Sequence, residues 1–291
     1  MVLGKIDQLD AELLLAHALG KSREFILANP DHLITLSLYH FITRLFKKRQ
    51  EGIPLAYLTG HKEFFGLDFF VNKHVLIPRP DTEVLVEFVL NHIHNSKFIN
   101  HNSIMIDVGT GSGCIPISIL KNLPTCKPEY LQTFATDISH KALRVAKKNA
   151  KKHHVKASPC SAHVAGKIKF LHGNLLSPFL KTCKLADLQT CRLIITANLP
   201  YITEKQFQQE PSIHHEPKIA LVAEDQGLAL YEELLEQLAN LSTCKLACFF
   251  EIDPSQSQKI KSLIKKYLPT AKIEIKQDLA GLDRVVKIGV N

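Results

Sequence analysis

Apolar positions follow one rhythm before residue 100 and another after it. In the first part, Leu9, Leu13, Leu14, His17 and Leu19 fall near one helical face. Phe25-Ile26-Leu27 and residues 38–46 continue that pattern, so residues 7–50 read as a small helical bundle. Gly52 follows Lys47-Lys48-Arg49-Gln50-Glu51 and reads as a helix stop. From 54 to 77 the pattern turns aromatic and glycine-punctuated. Leu55-Ala56-Tyr57-Leu58-Thr59-Gly60 and Glu63-Phe64-Phe65-Gly66-Leu67-Asp68-Phe69-Phe70-Val71 predict a β-hairpin that links the two halves. Pro78-Arg79-Pro80-Asp81-Thr82-Glu83 then opens a helix through Leu90 to His94, with prolines and acids where a first turn favours them.

After residue 100, strands and helices alternate. Strands are predicted over 104–108, 132–136, 168–172, 193–197, 246–252, 273–276 and 285–288, and helices over 114–122, 140–152, 227–241 and 255–268. Short connections between alternating elements imply an α/β fold with a doubly wound, mostly parallel sheet of seven strands. Three units are expected: a helical domain over 1–52, a hairpin linker over 53–78 and a cofactor-binding domain over 79–291.

Three predicted strand ends carry chemistry. Ile104-Met105-Ile106 runs into Asp107-Val108-Gly109-Thr110-Gly111-Ser112-Gly113. Gly109, Gly111 and Gly113 let backbone approach a ligand closely and turn into the next helix, with Thr110 and Ser112 between them. The spacing differs from the dinucleotide fingerprint, and no phosphate-gripping Lys-Ser/Thr follows. Asp107 is expected to orient this loop or to accept from a cofactor amino group. Asp137, followed by Ile138, ends the next strand, where an acid accepts ribose hydroxyls. Asn174 and Leu175 end the third, where an Asn side chain reaches an adenine amino group. Gly, Asp and Asn in that order point to S-adenosyl-L-methionine.

Asn198-Leu199-Pro200-Tyr201 follows the apolar strand Leu193-Ile194-Ile195-Thr196-Ala197. An amide nitrogen attacks poorly because its lone pair is delocalised into the carbonyl. Fixed oxygens that accept both N–H groups aim that nitrogen and stabilise the growing positive charge. Asn198 offers a side-chain carbonyl, and Leu199 a backbone carbonyl in the extended conformation that precedes proline. Pro200 stiffens the turn, and Tyr201 offers a flat face for a planar group. The reaction class is methyl transfer to a weakly nucleophilic nitrogen.

Composition narrows the picture further. The 291 residues are 45% hydrophobic, enough to bury a large core. No apolar run reaches spanning length, and the first residues hold no signal-peptide core, so a cytoplasmic protein without membrane contact is expected. Seven scattered cysteines and fifteen histidines show no ligand spacing; no metal is expected, and the thiols read as reduced. Much of the net charge of +8 lies between Lys141 and Lys156 and reads as a solvated helix face.

The chain resembles the release factor glutamine methyltransferases, the PrmC/HemK family, over nearly its whole length. The resemblance rests on Pro54-Leu55-Ala56-Tyr57-Leu58-Thr59-Gly60, Glu63-Phe64, Leu76-Ile77-Pro78-Arg79-Pro80-Asp81-Thr82-Glu83, the glycine turn, Asn198 to Tyr201, His215-Glu216-Pro217 and Ala220-Leu221. It implies a Rossmann-like class I methyltransferase domain that methylates the Gln of the Gly-Gly-Gln loop in peptide-chain release factors. It also implies an N-terminal helical domain that docks the release factor. Glycines 109 to 113, Asp137 and Leu175 would touch the cofactor, Asn198 to Tyr201 would hold the glutamine, and Arg79 to Glu83 would line the site. Leu199 replaces a usual proline, and Leu199→Pro is expected to be neutral or slightly activating. Asn174 stands where an acid is common, and the helical region lacks a leading helix before Leu9. A monomer without direct nucleic-acid contact is expected. The competing readings are an adenine-N6 methyltransferase of RNA or DNA, which the same Asn-Leu-Pro-Tyr turn would suit, and a cofactor-binding scaffold without activity.

Overall fold

The computed structural model describes residues 6–95, 103–123, 131–157, 167–183, 191–241 and 245–290. Four helices come first: α1 (Gln8–Leu19), α2 (Arg23–Ala28), α3 (Leu36–Gln50) and α4 (Leu55–Thr59). The first three open on side chains that accept a backbone N–H of the first turn, Asp7 from Leu9, Ser22 from Phe25 and Thr35 from Leu38. Helix α3 ends at Gly52, whose φ is +88°, and the N–H groups of Gly52 and Ile53 donate back to Arg49 and Lys48. Ala11 and Leu14 of α1 pack on Ile42, Leu45 and Phe46 of α3. The buried face of α1 differs from the expected one, since Leu9 and His17 are exposed. Leu13-Leu14-Leu15-Ala16 is apolar on every side, so contact with α3 chooses the face.

Leu55–Thr59, expected within a hairpin, is a short helix whose Leu55 and Leu58 pack on the helical core. The hairpin is shorter than expected: β1 (His61–Phe64) pairs antiparallel with β2 (Leu67–Phe70). Phe65 and Gly66 close it with φ of 52° and 71°, as a two-residue hairpin turn requires.

The larger sheet holds β3 (Ser103–Val108), β4 (Leu131–Asp137), β5 (Lys156–Ala157), β6 (Lys167–His172), β7 (Arg192–Ala197), β8 (Lys245–Glu251), β9 (Lys272–Gln277) and β10 (Asp283–Val290). Their order is β5-β6-β4-β3-β7-β8-β10-β9, parallel except for β10, which runs antiparallel to both neighbours. All seven expected strands form; two-residue β5 is an addition at the edge, too short for any alternation to reveal. Helices α5 (Thr82–Asn95), α6 (Cys114–Asn122) and α7 (His140–Lys152) cover one face, where Met105, Ile194 and Ala247 are buried with Val86, Val89 and Ile117. The helices Ala229–Ala239 and Ser257–Tyr267 cover the other, over Ile106, Ile195 and Phe250. Burial on both faces explains the nearly continuous apolar strands.

The basic residues of α7 are exposed while Leu143, Val145 and Ala146 are buried, which is the solvated face expected. Cys114 and Cys248 are buried thiols, and burial pushes Cys114 up to about 12. Cys126, Cys160 and Cys244 lie outside the described residues.

From β3 the chain winds outward through β4 to β6, then returns to β7 on the other flank of β3. Connections diverge between β3 and β7 and leave a crevice at their C-terminal ends. In the register Val108 pairs with Ala197, so Gly109 and Asn198 leave the sheet side by side.

Asn149 of α7 fastens the hairpin to the glycine turn. Its Oδ1 accepts the Phe70 N–H at 2.8 Å, and its Nδ2 donates to Phe70 O and Ser112 O, both at 2.9 Å. Asn149→Leu leaves these backbone groups unpaired and is expected to cost about 2–4 kcal/mol of stability. Urea unfolding with an unchanged midpoint would contradict this.

Candidate active site

The glycine turn is held from below. The N–H groups of Gly109 and Thr110 both donate to Thr136 O, at 3.0 and 2.9 Å. Gly109, Gly111 and Gly113 have φ of 73°, 56° and 80°, left-handed values that side chains disfavour. A Cβ on Gly109 would lie 3.0 Å from Leu199 Cδ2, and one on Gly113 would press on Ile117 and Ala146. Gly111 has only a backbone oxygen at 3.9 Å, so its surface is left open to a ligand. Asp107 sits beneath the turn, fully buried, and accepts the Thr196 hydroxyl at 2.7 Å. Burial pushes its carboxyl up to about 7, against the hydrogen bond from Thr196. Neither Asp107 nor Gly113 lines the pocket; they hold its floor.

The pocket above is walled by Gly109, Thr110, Gly111, Ser112, Asp137, Ile138, Asn174, Leu175, Asn198, Leu199 and Pro200. Asp137 accepts the N–H groups of Gly111 and Ser139, each at 2.8 Å, which ties the first strand end to the second. Burial raises its pKa, and the two backbone bonds oppose that shift. Ile138 is 53% exposed, unusual for isoleucine, and gives the wall an apolar platform suited to a flat ring. Asn174 donates to Glu233 at 2.6 Å. That bond uses its nitrogen and leaves its carbonyl to accept from a ligand.

The second turn is held at Asn198, Leu199 and Tyr201. Asn198 Nδ2 donates to Thr82 Oγ at 3.0 Å, so its carbonyl oxygen is left for the pocket. The Leu199 N–H donates to the Tyr231 hydroxyl at 3.2 Å, and the Leu199 side chain is 3% exposed against the core. Tyr201 is placed differently from the expectation. It is absent from the pocket wall, and its hydroxyl faces Glu251 at 3.4 Å. Burial and the neighbouring Glu251 carboxyl raise its pKa.

Two charged residues expected at the site are committed elsewhere. Arg79 lines the pocket, but its guanidinium pairs with Glu216 at 2.5 Å; Glu216 is nearly buried and also accepts the Ile77 N–H. Together they strap the segment before α5 to the loop after Pro200. Glu83 lies off the pocket and accepts the Phe65 N–H at 2.8 Å, where it holds the hairpin turn. Thr82 lies within the Arg79-to-Glu83 segment expected to line the site, and it does line the pocket; Glu233, Tyr231 and Glu251 were not singled out from sequence. Only Glu251 carried a signal, as a carboxylate ending the apolar run Cys248-Phe249-Phe250. Among the described residues, no group of three or more His, Cys, Asp or Glu could hold a metal ion, and no helix is long and apolar enough to cross a membrane.

The locked turn revises the expectation for Leu199→Pro. Proline would remove the N–H that Tyr231 accepts and a buried side chain that packs beneath Gly109. The variant is expected to lose about 1–3 kcal/mol of stability rather than to be neutral. A denaturation midpoint equal to the parent's would restore the first view.

Residues 5–60 match the PrmC N-terminal domain family, and residues 82–177 match the methyltransferase small domain family. A release factor glutamine methyltransferase of Bacillus anthracis is 35% identical over 283 residues, which is 96% of this chain and 92% of that one. One from Bacillus subtilis (strain 168) is 35% identical over 280 residues, covering 95% and 89%. Among solved structures, the N-terminal domain of human METTL16 in complex with SAH superposes with a TM-score of 0.51 at 18% identity, covering 84% of each chain. The hMettl16 catalytic domain bound to MAT2A 3'UTR hairpin 1 gives 0.55 at 14% identity, covering 86% of this chain and 81% of its own. At such identities the two structures show the fold alone.

Proposed function

The chain belongs to the release factor glutamine methyltransferases, and from that premise we propose that it methylates the side-chain amide nitrogen of the Gln in the Gly-Gly-Gln loop of a peptide-chain release factor. S-adenosyl-L-methionine is the cofactor, and when bound it supplies an electrophilic methyl group on sulfonium. The pocket fits it: an open glycine cradle, an acid at the second strand end, an apolar platform at Ile138 and an Asn carbonyl at the third. One observation carries the reading. Asn198 leaves the sheet beside Gly109, with its side-chain nitrogen engaged by Thr82 and its oxygen left to accept. Asn198 Oδ1 and the Leu199 carbonyl accept the two N–H groups of the glutamine amide and aim its nitrogen. Neither acceptor is a strong base, and none is needed, because the amide proton becomes acidic only as the nitrogen gains its methyl.

Residues 1–52 form the docking domain in this reading, with 53–78 as linker and 79–291 as the methyltransferase domain. Leu27, Leu33, Leu36 and Tyr39 are all exposed in the helical part and offer a release factor an apolar surface. The protein works in the cytoplasm as a monomer, without direct contact to nucleic acid. Incubation with labelled S-adenosyl-L-methionine and either a release factor or rRNA tests the reading. Label on the Gln of a Gly-Gly-Gln peptide is expected; label on RNA would favour adenine-N6 transfer, and no label on either would leave a scaffold.

A further inference from the structure

One buried hydroxyl stands where the Asn198–Tyr201 turn meets the C-terminal ends of β7 and β8. It belongs to Tyr231, a fully buried residue of the helix Ala229–Ala239. The hydroxyl donates to Glu251 O, accepts the Leu199 N–H at 3.2 Å and lies 3.5 Å from Ala197 O. A phenol carries a single proton, and Glu251 O, the nearest of the three, takes it. Burial raises the Tyr231 pKa well above its ordinary value, so the proton stays in place. The lone pairs are then left for the Leu199 N–H. Tyr231 does not line the pocket, so it can act on the reaction only through the turn.

Leu199 is constrained from three directions. Pro200 pushes its backbone toward the extended region from the C-terminal side. Its side chain is 3% exposed and lies against Gly109, where an added Cβ would stand 3.0 Å from Leu199 Cδ2. On the N-terminal side a proline ring would fix the backbone and carry no N–H, but leucine has a rotatable φ and a donor to satisfy. The Tyr231 hydroxyl meets both needs with one contact. The peptide it grips joins Asn198 to Leu199, and so lies between the side-chain oxygen of the first and the carbonyl of the second. Its tilt therefore sets how those two acceptors stand relative to each other.

We propose that Tyr231 is a positioning residue for methyl transfer: with its proton committed to Glu251 O, its hydroxyl accepts the Leu199 N–H and holds the Asn198–Leu199 peptide at the tilt that aligns both acceptors on the substrate amide. This rests on the proposed function, in which Asn198 Oδ1 and the Leu199 carbonyl receive the two N–H groups of the glutamine.

The test is a double-mutant cycle of the parent, Tyr231→Phe, Leu199→Pro and the double variant in steady-state transfer of labelled methyl to a release factor. Cofactor affinity and unfolding midpoint are measured beside it. Phenylalanine keeps the buried ring and removes the acceptor, so kcat is expected to fall about tenfold, the factor that one net hydrogen bond is worth. KM for the cofactor is expected to stay within about twofold. In the Leu199→Pro background the N–H is already gone, and Tyr231→Phe is expected to change kcat by less than about twofold. A merely structural role would instead lower the unfolding midpoint and leave kcat of the folded fraction unchanged. That result, or an equal fall of kcat in both backgrounds, overturns the proposal. If a variant fails to fold, amide hydrogen exchange in the parent decides: the Leu199 N–H is expected to exchange at least roughly 10²-fold more slowly than a free amide, and exchange at the free rate overturns the proposal. A parent that transfers no label to a release factor overturns the functional reading and this proposal together; an active parent with an equally active Tyr231→Phe overturns this proposal alone.

Discussion

Asn198→Ala is expected to lower kcat for release-factor methylation by about 10³-fold, with the affinity for S-adenosyl-L-methionine within about twofold of the parent. The asymmetry follows from the division of labour at the crevice. In the proposed reading cofactor affinity is spread over the glycine cradle, Asp137, Ile138 and the Asn174–Glu233 pair, all of which stand without Asn198. The substrate amide is different: in the same reading a side-chain oxygen and one backbone carbonyl accept its two N–H groups, and alanine removes the first. It also leaves the Thr82 hydroxyl without the NH₂ group it accepts, so the site loses both an acceptor and its internal order. Single-turnover transfer alongside calorimetric titration of the cofactor separates the two effects. Turnover near the parent rate would remove Asn198 from the mechanism, whereas equal loss of turnover and cofactor affinity would make it a cofactor ligand only.

The parts of this site that could be read in the sequence are those whose cause is local. Gly109, Gly111 and Gly113 follow an apolar strand, and their left-handed φ values are a local backbone demand. Asn198 and Pro200 likewise announce a turn after β7. The sheet brings the two turns together through a register of neighbouring strands, and strand–helix alternation foretells that arrangement. The supports were hidden because they act across long separations. Thr82 meets Asn198 across 116 positions, Arg79 meets Glu216 across 137, and Tyr231 meets Leu199 across 32. No periodicity encodes such pairings.

The same limit explains the partners that were missed. Arg79 lines the pocket as expected, but a nearly buried glutamate pairs with its guanidinium, and Glu83 lies off the pocket where a hairpin turn claims it. Tyr201 reads as a stacking surface, but a buried carboxyl behind the turn draws its hydroxyl away from the pocket. In each case the competing partner comes from a distant part of the chain.

Gly227→Ala is expected to destabilise the protein by about 3 kcal/mol or more and to slow methyl transfer as well. Gly227 has φ +83° and follows Asp225 and Gln226, which are themselves left-handed at 48° and 57°. This run presses the backbone against the Asn198–Tyr201 turn. A Cβ on Gly227 would stand 2.0 Å from Tyr201 O and 2.5 Å from Gln256 Nε2. Gln256 is nearly buried, and its amide nitrogen bridges Tyr201 O and Gln226 O at 3.0 Å each. The nearest atoms are backbone, and the Gln256 side-chain end is itself held by two hydrogen bonds, so the Tyr201 carbonyl must move, and it belongs to the residue that follows Asn198-Leu199-Pro200. Gly281→Ala is the matched control: its φ is +78°, but no atom lies within 4 Å of the added carbon. That variant bears backbone strain alone, about 1–2 kcal/mol, with no effect on turnover. Equal losses of stability in the two variants, measured by denaturant unfolding, would show that close approach to Tyr201 carries no energy. A folded Gly227→Ala with parent kcat would show that turnover does not depend on this buttress of the Asn198–Tyr201 turn.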